Sequence, residues 1–425
     1  MSIALRAYQV RAIEDARAQV RQRHRAPLLC APPGAGKTRV GAQMAASHIA
    51  KGGQVAWFSP RIELVAQAAE ALAATGAPAD RWVSTTYQGA CARDEVPEAT
   101  MAIFDECHCL GQTNEEWSRV SEAYSGALRV GLSATPERGD GSALTGFDCI
   151  VPVSSYSELI QLGHLVPCDV RKPDKVLKTR QIIARPVDAY LEFCRDELAV
   201  CFGPSVEACY RFADEFRGLG VMAEVVHAKS ADRDEVLARW RRRETLVVCN
   251  VGVLTEGFDL PAISCVILAR QIGTCGLFLQ TTGRGLRPAP GKSRCMLLDL
   301  SGAANVHGLP TADRVYSLDG RGLREAGVEK PAGTQCSICG SPPPCECGGR
   351  EQLEIAVTGS VADLKPWQAA MRLEPESERA RRLARWLQQC RLKGWKEGAA
   401  AHKYRAVYGA PPPADVWATA RRLAA

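Results

Sequence analysis

A chain of 425 residues is long enough for two to three domains, each with its own core. A hydrophobic content of 46% and a charged content of 24% exclude a disordered chain, a collagen-like repeat and a coiled-coil rod. Lys and Arg number 53 against 47 Asp and Glu, a net charge of +6, but 13 of the basic and only 6 of the acidic residues lie in 361–425, so the rest of the chain is close to neutral. No uncharged apolar run approaches the ~20 residues of a membrane span, and Met1-Ser-Ile-Ala-Leu-Arg6 carries no apolar signal core. A cytoplasmic protein without a membrane partner is the expectation. Of the 18 cysteines, most are scattered singly in apolar runs such as Leu246-Val-Val-Cys-Asn250, where a reduced thiol packs as a small hydrophobe.

The first 150 residues alternate short apolar runs with helical patterns. Leu28-Leu-Cys-Ala31 reads as a strand before a Gly-rich turn, Gln54 to Ser59 as the next strand, and Ile62 to Ala74 as an amphipathic helix. Trp82 to Tyr87, Met101 to Asp105 and Leu128 to Leu132 are further strands. The same alternation restarts with strands at Leu198 to Phe202, Ala223 to His227, Thr245 to Cys249, Cys265 to Ala269 and Cys295 to Leu300, and with helices at Val206 to Leu219 and Asp232 to Arg243. Strands separated by helices imply βαβ units, hence an α/β fold with two parallel sheets. The domains are read as 1–150 and 187–320, joined by a polar linker at 151–186. A Cys-rich module at 330–350 and a basic helical tail at 361–425 follow.

Ala31-Pro-Pro-Gly-Ala-Gly-Lys-Thr38 lies between a strand and a helix, the setting of a phosphate-binding loop, although Ala31 stands where the general pattern has its first Gly. Backbone N–H groups of Gly34, Ala35 and Gly36 would cradle phosphate oxygens, Lys37 would reach the β- and γ-phosphates, and the Thr38 hydroxyl would ligate Mg²⁺. The apolar strand Met101-Ala-Ile-Phe104 ends in Asp105 and Glu106. In such a pair the first acid would hold Mg²⁺ through water, and the second would orient and deprotonate the attacking water.

The loop, Asp105-Glu-Cys-His108 and Ser133-Ala-Thr135 together resemble superfamily 2 helicases. Thr255-Glu-Gly-Phe-Asp259 looks like motif V of that family, and Gln280-Thr-Thr-Gly-Arg-Gly-Leu-Arg287 like motif VI. Leu5-Arg-Ala-Tyr-Gln9 resembles the element that reads adenine in many members. Ser59-Pro-Arg-Ile-Glu-Leu-Val65 with Gln67 resembles motif Ia, and Thr85-Thr86 falls where motif Ib is expected. The resemblance covers residues 3–305 in the proper order. Within the family, Ala134-Thr-Pro-Glu-Arg-Gly-Asp-Gly141 and the tail Lys393-Gly-Trp-Lys-Glu-Gly398 with Tyr408-Gly-Ala-Pro411 are most similar to small phage and prophage helicases.

This resemblance implies two tandem RecA-like P-loop domains with ATP and Mg²⁺ in the cleft between them. Arg6 and Gln9 would bond the adenine edge. Arg284 and Arg287 would enter from the second domain to neutralise charge on the γ-phosphoryl group, a task suited to a planar guanidinium. Gly257 would admit a close backbone approach, and Asp259 would bond ribose or motif VI. His108, Ser133, Thr135 and Gln280 would couple hydrolysis to domain closure, although Ser133 and Thr135 also suit an ordinary turn and His108 a loop. Arg61, Thr85 and Thr86 in the first domain, with Ser205 and Thr255 in the second, would hold the phosphates of a nucleic-acid strand without reading its sequence. DNA is favoured over RNA as that partner, and family precedent puts 3′→5′ movement ahead.

Cys336-x₂-Cys339-x₅-Cys345-x-Cys347 offers four thiolates for a tetrahedral Zn²⁺ site, with a reduced Cys-rich linker or an iron–sulfur cluster as alternatives. In the tail, Arg381 and Arg385 fall one helical turn apart, with Trp386 and Trp395 interleaved among basic residues. That pattern suits a nucleic-acid or partner surface, and equally a solvated helix whose Trp side chains pack on the preceding domain. Three functions are therefore carried forward: an ATP-driven helicase or translocase, a nucleic-acid-stimulated ATPase that remodels duplexes without separating strands, and a zinc-bearing binding module with an inactive ATPase fold. No residue sets the oligomeric state, and a monomer suffices for each.

Overall fold

The computed structural model describes residues 5–92, 96–109, 114–136, 144–178, 181–254, 258–314, 316–318, 355–366, 376–392, 397, 400–401, 412 and 414–424. Six strands, β1 (Pro27–Cys30), β2 (Val55–Ser59), β3 (Trp82–Thr86), β4 (Met101–Asp105), β5 (Leu128–Ser133) and β6 (Cys149–Pro152), form the first sheet in the order β3-β2-β4-β5-β1-β6. Every pairing in it is parallel. The later strands are β7 (Cys168–Lys172), β8 (Gln181–Ile182), β9 (Ala199–Phe202), β10 (Ala223–Val226), β11 (Val247–Asn250), β12 (Cys265–Leu268), β13 (Cys295–Asp299), β14 (Ala356–Val357) and β15 (Lys365–Pro366). Seven of them build the second sheet, β10-β11-β9-β12-β13-β7-β15, parallel except for its edge strand β15, while β8 and β14 pair separately.

Strands β1, β2, β4, β9, β11, β12 and β13 are buried along their whole length. Helices cover both faces, which is why these strands read as continuous apolar runs rather than alternating ones. Helix Ala7–Arg21 buries Tyr8, Ala12, Ile13 and Ala16, a stripe at helical spacing. Trp57, in β2, and Trp240, on helix Arg233–Arg241, are fully buried. Each fully buried large aliphatic or Phe side chain contributes roughly 1.5–3 kcal/mol relative to exposure, so these strand interiors dominate stability.

Three boundaries differ from the sequence reading. The segment 151–186 is not a linker. Its first residues finish β6, which pairs with β1, and its middle is β7, which pairs with β13. Between them, helix Tyr156–Gln161 buries Tyr156 and Leu159 in the same apolar cluster as Tyr8. The polar look of Arg171, Lys172, Pro173 and Asp174 hid β7, and a two-residue antiparallel edge strand beside it gave no sequence signal. The first domain therefore runs past residue 150. The tail likewise does not begin at 361, because Leu364 lies in the second core and β15 extends the second sheet. The helical part of the tail is Glu376–Leu392 packed against Ala414–Ala424, with Leu383, Trp386, Leu387, Val416 and Ala420 in a core made of tail residues. Trp386 thus packs within the tail rather than on the preceding domain, and Trp395 lies outside the described residues.

Candidate active site

The turn after β1 leads into helix Lys37–Ile49, whose N-cap Gly36 has φ 80°. A side chain at Gly36 would be strained there, and its Cβ would also lie 2.6 Å from Gln9 Nε2. The helix begins at Lys37, so its first-turn N–H groups and the positive end of its dipole face the turn. Two residues of the N-terminal helix brace this loop from behind. The Tyr8 hydroxyl donates to the Ala35 carbonyl at 2.9 Å and Gln9 Nε2 donates to the same oxygen at 3.1 Å, while Gln9 Oε1 accepts from the Arg6 N–H at 3.0 Å. Arg6 in turn donates to the Tyr8 hydroxyl at 3.1 Å. Gln9 thus holds the phosphate loop through its bond to the Ala35 carbonyl, a role the sequence did not suggest.

At the end of β4, Asp105 is buried and Glu106 adopts φ 46°. A non-glycine residue in that region stores roughly 1–3 kcal/mol of strain and persists where surroundings over-determine it. Here the Glu106 N–H bonds its own neighbour, Asp105 Oδ1, at 3.0 Å. The turn places Glu106 Oε1 3.6 Å from Lys37 Nζ and Oε2 3.3 Å from His108 Nδ1. Burial opposes ionisation of Glu106, but Lys37, His108 and Arg284 outweigh it and hold the carboxyl below its usual range. Asp105 goes the other way, to about 7, because burial and the adjacent Glu106 charge exceed the help from Lys37. Buried Asp105 and partly buried Glu106, with the Lys37 ammonium beside Glu106, form a donor set that accommodates a divalent cation.

His108 joins the domains. Gln280, on helix Cys275–Thr282 of the second domain, places its Nε2 2.7 Å from His108 Nε2, and Ser133 Oγ lies 3.0 Å from His108 Nδ1. Gln280 is thereby bonded to one nitrogen of the His108 ring while the other faces Ser133. Ser133 Oγ passes its own proton to the Thr135 carbonyl at 2.6 Å. Next along the second domain, the backbone at Gly283 presses on the phosphate loop, since a Cβ there would sit 2.8 Å from Pro33 Cβ. Arg284 donates to the Phe258 carbonyl, and Arg287 pairs with Asp259.

These groups enclose a cavity of about 470 Å³, lined by Arg6, Gln9, Gly34, Gly36, Lys37, Thr38, Asp105 and Glu106 from one side and Asp259, Gln280, Arg284 and Arg287 from the other. That volume is within the ~300–1,000 Å³ of small-molecule sites. His164, whose ring lies 5.8 Å from that of Tyr8, also lines it and went unnoticed in the sequence because it falls in the segment taken for a linker. The loop glycines, the helix N-terminus, Lys37 and the two acids fit a nucleoside triphosphate with Mg²⁺.

The residues expected to hold a strand lie apart from this cavity, at the carboxyl ends of strands in both sheets. Arg61 precedes helix Ile62–Ala73, following β2. Thr86 caps helix Tyr87–Cys91 by accepting from the Gly89 N–H at 2.9 Å, Thr85 beside it is buried, and Ser205 caps helix Val206–Gly218 by accepting from the Ala208 N–H at 3.1 Å. Arg233 approaches Glu63 at 4.0 Å across the domains on this face. Thr255 and Gly257 lie outside the described residues, as do Cys336, Cys339, Cys345 and Cys347.

A strand–loop–helix phosphate site completed by arginines from a second parallel sheet defines a two-domain P-loop nucleotide hydrolase. Comparison with known proteins narrows the class. Residues 2–96 and 92–138 match the family "Type III restriction enzyme, res subunit", and residues 184–289 match the "Helicase conserved C-terminal domain". The chain is 30% identical over 309 residues to a 51.5 kDa protein of a Lactococcus phage, covering 67% of each chain. It is 36% identical over 199 residues to the Saccharomyces cerevisiae protein named ATP-dependent helicase IRC3, covering 46% of this chain and 26% of that one. Among solved structures, a DNA-bound ATP-dependent Type ISP restriction-modification enzyme, LlaBIII, shares the fold with a TM-score of 0.56 at 15% identity, over 92% of this chain and 35% of that chain. The chain thus spans two thirds of its phage relative and a much smaller part of the yeast protein. It belongs to the superfamily 2 helicases, which are ATP-hydrolysing enzymes, and it is similar to a phage member. No helix of the described residues is long and apolar enough to cross a membrane.

Proposed function

We propose that this chain is an ATP-driven motor that moves along nucleic acid, with DNA favoured over RNA. The observation that carries this reading is the cleft itself, in which the phosphate loop and two acids of one domain face two arginines of the other, with His108 and Gln280 bonded across the gap. Glu106, held ionised, accepts the proton of the attacking water as it adds to the γ-phosphorus. Lys37, Arg284 and Arg287 stabilise the charge on the transferred group and on the leaving diphosphate. Thr38 and Asp105 would hold Mg²⁺, which when bound neutralises phosphate charge. Loss of the γ-phosphate removes the ligand shared by the two domains, so they part, and the His108–Gln280 bond reports that change to the strand-binding edge. Alternating grips by Arg61, Thr85 and Thr86 on one side and Ser205 and Thr255 on the other give stepping. DNA is placed first because the restriction-enzyme families share this fold, one of them solved bound to DNA.

ATP turnover should be slow alone and faster with single-stranded DNA, duplex, forked DNA or RNA, measured side by side. Absence of stimulation by every polynucleotide would overturn the motor reading, and strand displacement in the same tubes separates unwinding from duplex remodelling. The tail is the electrostatic part of this proposal. Arg381 and Arg385 are exposed while Trp386 is buried, so the charge faces outward from a self-contained helical pair. Deleting residues 367–425 should weaken binding and flatten its salt dependence, by about one in log–log slope for each phosphate that the tail neutralises. Turnover at saturating nucleic acid should change little. Unchanged binding would make the tail a packed cap.

The four clustered cysteines are proposed to hold one Zn²⁺. Metal analysis of the purified chain should find about one zinc, and a Cys336→Ser/Cys339→Ser variant should lose it. A zinc content unaltered by that variant would refute the assignment.

A further inference from the structure

Lys292 sits in the turn between the arginine-bearing segment and β13, half-buried, and its ammonium donates to three main-chain carbonyls. Those of Pro261, at 2.9 Å, and Ile263 belong to the loop that carries Asp259, whereas that of Arg287, at 2.7 Å, belongs to the segment reaching into the cleft. An ammonium has three N–H donors, so these three bonds use all of them. Bonds from a charged donor are the stronger kind, and in a partly desolvated position they fix geometry firmly. Pro261 and Arg287 line the cavity, and Lys292 is behind that wall. The same two segments are tied on the cavity side by Arg284 to the Phe258 carbonyl and by Arg287 to Asp259. The Arg287 backbone is therefore gripped from the rear through its own carbonyl, beside a Leu286 carbonyl that accepts from the Val166 N–H at 2.8 Å.

We propose that Lys292 is a positioning residue for ATP hydrolysis, clamping the Arg287 backbone to the 258–263 loop so that the guanidinium is held ready at the γ-phosphoryl position. This rests on the reading of Arg287 as the group that neutralises that phosphoryl charge. A glycine with φ 75° at residue 291 turns the chain so that the lysine can fold back over the segment it clamps.

The test is a double-mutant cycle on the full chain, read as steady-state ATP turnover with saturating single-stranded DNA. Lys292→Met keeps the length of the stem and removes the donors. It should lower kcat by about 10–100-fold, the cost of misplacing a group at the reacting centre, and change KM for ATP much less. Lys292→Arg, which keeps charge and donors, should recover most of the rate. The Lys292→Met/Arg287→Ala double variant should be no slower than Arg287→Ala alone, because both act through one guanidinium. Should Lys292→Met fail to fold, Lys292→Gln, with two N–H donors, takes its place in the same cycle. A normal kcat in the Lys292 variants, or losses that multiply in the double variant, would overturn the positioning role. A normal rate in Arg287→Ala would instead overturn the reading of Arg287 on which it rests.

Discussion

Lys37→Ala and Glu106→Gln should each cut ATP turnover by about 10²-fold or more, since each removes a group preorganised where charge develops. They should do so differently. Lys37 is nearly fully buried with Nζ 3.6 Å from Glu106, so its loss takes away the cation beside the acid pair as well as the proposed ligand for phosphate. Nucleotide binding should weaken in that variant along with turnover. Glu106→Gln keeps the shape and the neighbours of the side chain but cannot accept a proton, so it should bind nucleotide normally and stall before hydrolysis. Steady-state kinetics paired with binding of a fluorescent nucleotide analogue reads both. A Glu106→Gln protein that turns over at the wild-type rate would remove Glu106 from the chemistry.

Arg287→Ala is expected to be as damaging, with kcat lowered by roughly 10³–10⁵-fold if its guanidinium meets the γ-phosphoryl group, while the first domain still binds nucleotide. Arg287 is held by Asp259, whose side chain is 65% exposed and therefore a weak competitor for it against a phosphate. Arg287→Lys should not rescue the rate, because an ammonium cannot present the planar fork. Arg284→Ala should be less selective: that side chain also bonds the Phe258 carbonyl and helps keep Glu106 ionised, so melting temperature and pH profile should shift with turnover. Turnover by Arg287→Ala within about tenfold of wild type would show that the second domain supplies its charge elsewhere.

The phosphate loop and the β4 acids were legible because their chemistry is local. A strand, a glycine turn and a helix start at Lys37 bring Lys37 and Thr38 to the wall of the cleft, and the apolar run to Phe104 aims Asp105 and Glu106 at the same cavity. The tail core was partly legible, since helical spacing in 376–392 separates Leu383 and Leu387 from Arg381 and Arg385. By contrast, Tyr8 gave no sign of its bond to the Ala35 carbonyl, and His164 and β7 were lost in a segment whose polar composition resembled a linker. Lys292 lies outside every motif read from the sequence.

The sequence alone therefore determined the family, through motifs in order, and pointed to the loop proposed to cradle phosphate and the acid pair proposed to handle cation and water. Tertiary structure decided how these become one site. His108 and Gln280 are 172 residues apart yet 2.7 Å from each other, and the 258–263 loop meets Arg284, Arg287 and Lys292 only once β12 and β13 are paired. Periodicity and spacing record what neighbours along the chain do. Bonds between separate elements depend on strand order and sheet packing, which leave no mark on the residues that happen to meet.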